Sequence, residues 1–333
     1  MAPGAHDMPV STPAEAIPFH LVGYTWGSGR LELLWRPWPA WAATGAASVR
    51  SAPSPEAAGE TLRWAIGRGA TLSLTSALPG MPGERRCIGY RPPDGGPQRL
   101  CPQWRALPRG GRAQCEACER REGRLEVVAS NGSRSPTGPR AGYLRSAHEV
   151  YLAGFAPDVL KVGVSGAGRT PLRVLEQGAP AALIVGRADD GMAARRLEHH
   201  LGLLGARERV PVRTKRRLLY PPPEADRLLA ALSEALATMA ARLPHGWPPD
   251  VRWLDPPQRL DNTVTLGLDA LAGEPHAAAV PPAGALRGCV VAAAGALLIV
   301  EQPQPSLWGD AAPLAPQAHD LRRWLGWRVV LSA

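Results

Sequence analysis

A chain of 333 residues, 45% of them hydrophobic, carries enough apolar material for two or three compact cores, which excludes a wholly disordered protein. Its formal charge of +9 and pI near 9.9 open two readings: a phosphate-binding surface, or the arginine bias of a GC-rich, bacterial-type genome, since lysine occurs only at Lys161 and Lys215. The longest apolar run, Gly288 to Val300, falls short of the roughly 20 residues of a spanning helix, and Met1 to Ile17 lacks a basic start and an apolar core, so no membrane partner and a cytoplasmic location are expected.

In chain order, residues 1–15, with Pro3, Pro9 and Pro13, read as a flexible tail. His20 to Trp41 and Thr61 to Leu78 are short, strand-like and broken by Gly and Pro, which predicts a small β region over 16–84 with Ser51 to Gly59 as an exposed loop. Residues 85–129 are rich in Arg, Gly, Pro and Cys and poor in aliphatics, so this stretch needs a staple other than apolar burial. Residues 130–142, with Asn131-Gly132, Pro136, Gly138 and Pro139, read as a linker.

From 143 to 220 the pattern changes. His148 to Ala153 and Val159 to Val164 predict a hairpin, and Pro171 to Gln177 a helix with Pro171 in its first turn and Gly178 past its end. Ala181 to Val185 then predicts a third strand, and Asp189 to Leu204 a helix buried along Leu197, Leu201 and Leu204. The order is β-β-α-β-α. In the last part, 221–333, Glu224 to Leu243 predicts an amphipathic helix, while Ala285 to Val300 and Leu321 to Leu331 read as strands returning to a β core and pairing with the N-terminal ones. The fold class expected is therefore α+β.

Four of the five cysteines, Cys87, Cys101, Cys115 and Cys118, fall in one short segment, and Cys289 stands alone in an apolar strand as a core residue. In a reducing compartment such a cluster reads as a metal site before a disulfide set. Cys115-Glu116-Ala117-Cys118 offers two thiolates from one turn, with Cys87 and Cys101 completing a closed, structural zinc site. A redox Cys-x-x-Cys and four unrelated thiols are the alternatives. The arginines around the cysteines, from Arg85 to Arg121, outnumber the local acids and offer either a nucleic-acid surface or a solvated face.

Val150-Tyr151-Leu152-Ala153, followed by Lys161-Val162-Gly163-Val164, resembles the two-strand signature of the GIY-YIG nuclease superfamily, whose element order is also β-β-α-β-α. With Cys87, Cys115-x-x-Cys118, Arg173 and Glu176-Gln177-Gly178-Ala179, the chain resembles the family known as domain of unknown function 2797 over roughly residues 85 to 220. The GIY-YIG resemblance implies a site of Tyr151 on the first strand, Lys161 on the second, Arg169 or Arg173 on the first helix and Glu198 on the second. Glu198 would hold Mg²⁺ or Mn²⁺, the arginine would grip a phosphate and Tyr151 would orient or deprotonate water. Lys161 replaces the second tyrosine of that signature, both arginines sit off its spacing, and no asparagine follows Glu198 in the expected place.

Two functions follow: a zinc-containing, nucleic-acid-binding protein that cleaves phosphodiesters with a divalent metal, or a non-catalytic module on the same fold that grips nucleic acid or a protein. The adjacent His199 and His200 point about 100° apart on a helix and make a poor metal pair. No Walker-type phosphate loop occurs in the sequence.

Overall fold

The computed structural model describes residues 18–27, 29–37, 61–76, 83–92, 98–123, 141–244, 247–278, 285–301 and 316–331. The expected tail, the Ser51 to Gly59 loop and the linker up to residue 140 lie outside them. The first four strands are β1 (Pro18–Gly27), β2 (Arg30–Pro37), β3 (Leu62–Ile66) and β4 (Thr71–Thr75). Two short helices, α1 (Glu116–Glu122) and α2 (Ala141–Leu144), precede the hairpin β5 (His148–Ala156) and β6 (Val159–Gly166). Then come α3 (Thr170–Gln177), β7 (Ala181–Ala188), α4 (Gly191–Leu203), α5 (Val212–Arg217), α6 (Ala225–Ala240) and β8 (Val251–Asp261). The C-terminal strands are β9 (His276–Ala277), β10 (Ala285–Ala294), β11 (Leu297–Glu301), β12 (Gln317–Asp320) and β13 (Arg328–Leu331).

These strands form two sheets. The larger, in the order β3-β2-β1-β13-β4-β10-β11-β12-β9, interleaves strands from both ends of the chain. β13 lies between β1 and β4, with Phe19 opposite Val329 and Thr75 opposite Val330. The expected return of the C-terminal strands to the N-terminal ones is thus realised. β10 alternates buried and part-exposed side chains along its length, the period of a strand with one covered face. That face buries Trp35, Leu72, Leu74, Leu286, Ile299, Trp324 and Trp327 in one cluster.

The smaller sheet runs β6-β5-β7-β8, all antiparallel. β5 lies inside it, and its side chains from His148 to Phe155 are buried on both faces. Val150 and Leu152 pack with Leu197 and Leu201 of α4 and Leu228 and Leu232 of α6, whereas Tyr151, Ala153 and Phe155 pack with Val174 of α3. α3 also reaches the large sheet, where Leu175 joins its core. Gly178 caps α3 at φ +69°, and a Cβ there would lie 2.6 Å from the carbonyl oxygen of Ala294, so glycine permits both the left-handed turn and the close approach.

Several expectations need correcting. Leu321 to Leu331 is not one strand: Leu321–Arg323 forms a 3-10 turn and only Arg328–Leu331 pairs. β8 has no counterpart in the sequence reading, because Pro256 and Pro257 argue against a strand. They are tolerated because β8 is an edge strand and the ladder skips them, passing from Ile184 opposite Gln258 to Gly186 opposite Trp253. Cys289 is only partly buried, on β10.

Candidate functional site

The Cys-rich segment is organised by its backbone. Tyr90 pairs with Arg99 and Arg86 with Ala106, which brings Cys87 and Cys101 together, while Cys115 is the N-cap of α1 and Cys118 lies in its first turn. The four Sγ atoms all lie within 4.8 Å of one another, all four residues are buried, and Cys101 and Cys115 are 3.9 Å apart at sulfur. A tetrahedral ion with metal–sulfur bonds of about 2.3 Å requires sulfur–sulfur edges of about 3.8 Å, so this set is compatible with zinc. The amides of Gly89 and Cys115 donate to Cys87 Sγ at 3.4 and 3.2 Å, the hydrogen bonds that stabilise a thiolate. Hydrogen bonding among the sulfurs pushes the Cys118 thiol up and holds the Cys101 thiol down, as expected where four thiolates cannot coexist without a cation.

Much of the positive charge around this cluster serves the segment itself. Arg85 is buried and its guanidinium donates to the carbonyls of Leu325, Pro108, Gly110 and Gly111 at 2.9 to 3.3 Å, tying the segment to the large sheet. Arg86 pairs with Glu84, Arg112 with Glu119 and Arg120 with Glu116, and Arg121 lies over the Tyr90 ring. The expectation of a broad basic face here is weakened accordingly.

A second site is a cavity of about 280 Å³ where β5 and β6 meet α3 and α4. Four of the five residues singled out in 143–220, Tyr151, Lys161, Arg173 and Glu198, line it together. Arg169, just before α3, does not: both candidate arginines are about half-exposed and hold Glu176 at 2.9 Å, and of the two only Arg173 lines the cavity. Tyr151 is fully buried and directly opposite Gly163 on β6. Its hydroxyl oxygen accepts from Gln177 Nε2, and burial pushes the phenol up to about 12. Lys161 Nζ donates to the Val162 carbonyl at 2.8 Å. Burial draws its ammonium down to about 8 against the opposing pull of Glu198. Glu198 is held by Arg195 Nη1 at 2.5 Å.

Sequence reasoning gave no role to several further lining residues. His148, which opens β5, is buried; its Nδ1 lies 2.7 Å from the Ser146 carbonyl, its ring stands edge-on to Tyr143, and burial lowers its pKa. A donor proton on Nδ1 leaves Nε2 with its lone pair. Arg195, His199 and Glu208 complete the α4 side, with His199 Nδ1 3.8 Å from Glu208. His200 instead lies tilted against Trp247, with ring centroids 4.2 Å apart, and meets the Arg196 carbonyl, while its ring stands edge-on to His199 at 5.8 Å. The histidine opening a strand and the i, i+3 spacing of Arg195 and Glu198 were visible as residues, but neither spacing tells that they share a cavity.

Among the described residues the four cysteines are the one cluster of three or more metal-ligating side chains whose donor atoms converge. The small cavity is lined by two carboxylates, Glu198, which Arg195 holds, and Glu208, and their donor atoms form no such cluster. No described helix is long and apolar enough to cross a membrane. No curated protein and no solved structure matches the chain. A family model, in contrast, matches residues 112–302, more than half of the sequence, taking in Cys115, Cys118 and every residue of the cavity. On that match the chain belongs to the family described as Protein of unknown function (DUF2797).

Proposed function

We propose that the protein binds nucleic acid and cleaves phosphodiesters in the Tyr151–Glu198 cavity, on a GIY-YIG-like unit spanning 143–220, with a structural zinc in the Cys-rich segment 85–129. The observation that carries this reading is the gathering of Lys161, Arg173, Arg195, Tyr151 and Glu198 around one cavity. A phosphodiester is a poor electrophile carrying one negative charge. Arg173 can grip its non-bridging oxygens bidentately, and Lys161 adds a point charge beside it. Tyr151, anchored by Gln177, positions the attacking water by hydrogen bonding; a phenol at about 12 is a weak base at neutral pH. Mg²⁺ or Mn²⁺ on Glu198, when bound, would neutralise charge on the leaving oxygen.

The test is cleavage of labelled DNA and RNA with added Mg²⁺ or Mn²⁺, comparing the wild type with Glu198→Ala. Metal-dependent cutting that the substitution abolishes supports the reading, and cutting that survives it removes Glu198 from the metal role.

One observation favours a second reading, a non-catalytic module that grips nucleic acid or a protein. Arg195 occupies the carboxylate of Glu198 at 2.5 Å, so metal binding there has to displace an ion pair. Shifted but uncut bands in the same assay would select this reading.

A further inference from the structure

The chain between α4 and the end of α5 is rich in cations, and the fold divides them into two groups. Lys215 turns inward, donating to the Gln177 carbonyl at 2.7 Å with its ammonium over the Phe155 ring, and Arg216 reaches the Pro275 carbonyl at 2.5 Å. Arg207, Arg209, Arg213 and Arg217 are exposed, and among the described residues none of their side chains makes a hydrogen bond or ion pair. Elsewhere the exposed arginines Arg63, Arg68, Arg112 and Arg120 hold carboxylates, whereas others, among them Arg30, Arg145, Arg227 and Arg259, have no carboxylate partner among the described residues. What sets residues 207–217 apart is that four such guanidiniums fall in one short segment, a local concentration of positive charge.

Their place gives that concentration a direction. The backbone of Arg207 extends the β6 edge, donating to the Leu160 carbonyl at 2.9 Å and accepting from the Val162 amide at 3.0 Å. Glu208 lines the cavity and faces His199, and Arg207 is bridged in parallel to the cavity residue Lys161, so the backbone of residues 207–209 runs beside the cavity. Side chains two apart in an extended segment share a face, as do Arg213 and Arg217, four apart on α5. Glu208 is the sole acid from 205 to 217.

We propose that Arg207, Arg209, Arg213 and Arg217 form a docking track for a nucleic-acid backbone, leading one phosphodiester to the cavity rim. The proposal rests on the reading of that cavity as a phosphodiester site and adds how the polymer is held. Guanidiniums on an open surface bind phosphates bidentately without reading base edges, so the track confers sequence-independent, salt-sensitive affinity.

The experiment measures binding of a labelled DNA duplex by the full chain across a salt series, for wild type, Arg213→Gln/Arg217→Gln, the fourfold Gln variant and Arg259→Gln, an exposed arginine on β8 at the edge of the small sheet opposite β6. Each lost phosphate contact lowers the slope of log K against log salt by about 0.9, so the double variant should lose about 1.8 and the fourfold variant about 3.6. Arg259→Gln should keep the wild-type slope. Unchanged affinity and slope in the fourfold variant, or failure of the wild type to bind duplex while it binds polyglutamate, would overturn the track. Hydrolysis of bis(p-nitrophenyl) phosphate, read in parallel, separates the two ideas. Track-dependent binding without hydrolysis sinks the catalytic reading alone, and hydrolysis with track-independent binding sinks the track alone.

Discussion

Tyr151 and Gly163 face each other across the β5–β6 ladder, and the tyrosine ring fills the space a side chain at 163 would need: a Cβ there would lie 2.5 Å from Tyr151 Cζ. Gly163→Ala should destabilise the protein by about 1–3 kcal/mol through overpacking and displace the phenol from Gln177. Denaturant midpoints measure the first effect, and the Tyr151 environment in near-ultraviolet circular dichroism the second. An unchanged midpoint would mean that the ring moves aside without cost.

The choice between the two arginines of α3 is open to a direct comparison. Arg173→Ala should lower phosphodiester turnover by roughly 10²–10³, the effect of removing one transition-state donor, whereas Arg169→Ala should change it little. Equal losses would show that Arg169 swings from Glu176 into the cavity.

Lys161 should impose a pH dependence on anion binding. Its ammonium is held at about 8 by burial, so the cation is present below that pH and lost as pH rises through it. The affinity of wild type for a short oligonucleotide should fall between about pH 7 and 9, and Lys161→Arg, which stays charged, should remove the inflection. A titration unaltered by the substitution would assign it to another group.

Zinc analysis of the purified protein should return a single ion per chain, lost in Cys118→Ser. Metal binding in a closed thiolate site is folding free energy, so chelation should expose the 85–118 segment to protease while the β5–α4 unit stays resistant. Intact resistance throughout would make the metal dispensable to the fold.

His319 sits buried on β12 against Trp324, and burial brings its pKa down to about 4. The unfolded chain takes up a proton near 6.5 and the folded one does not until about 4, so stability is full above 6.5 and falls as pH drops through that window, by at most ~1.4 kcal/mol per unit. His319→Phe should flatten thermal melting over this range. A melting curve as acid-sensitive as the wild type's would place the sensitivity elsewhere.

What the sequence by itself determined is local in origin. Strand and helix periods are written in neighbouring residues, so the β5–β6 hairpin, the Pro171 and Gly178 ends of α3 and the leucine stripes of α4 and α6 were legible, as was the cysteine cluster, whose members lie within 32 positions. Only the tertiary structure decided which distant pieces meet. The insertion of β13 between β1 and β4 joins residues some 300 apart, and no periodicity encodes a partner; shared burial and backbone pairing select it. The same holds for side chains. Arg169 and Arg173 are equivalent as residue types and both hold Glu176, yet only Arg173 lines the cavity; Arg213 and Arg216 are equivalent too, yet Arg216 reaches the Pro275 carbonyl and Arg213 faces water. The packing of α3 and α5 against the two sheets sets that difference.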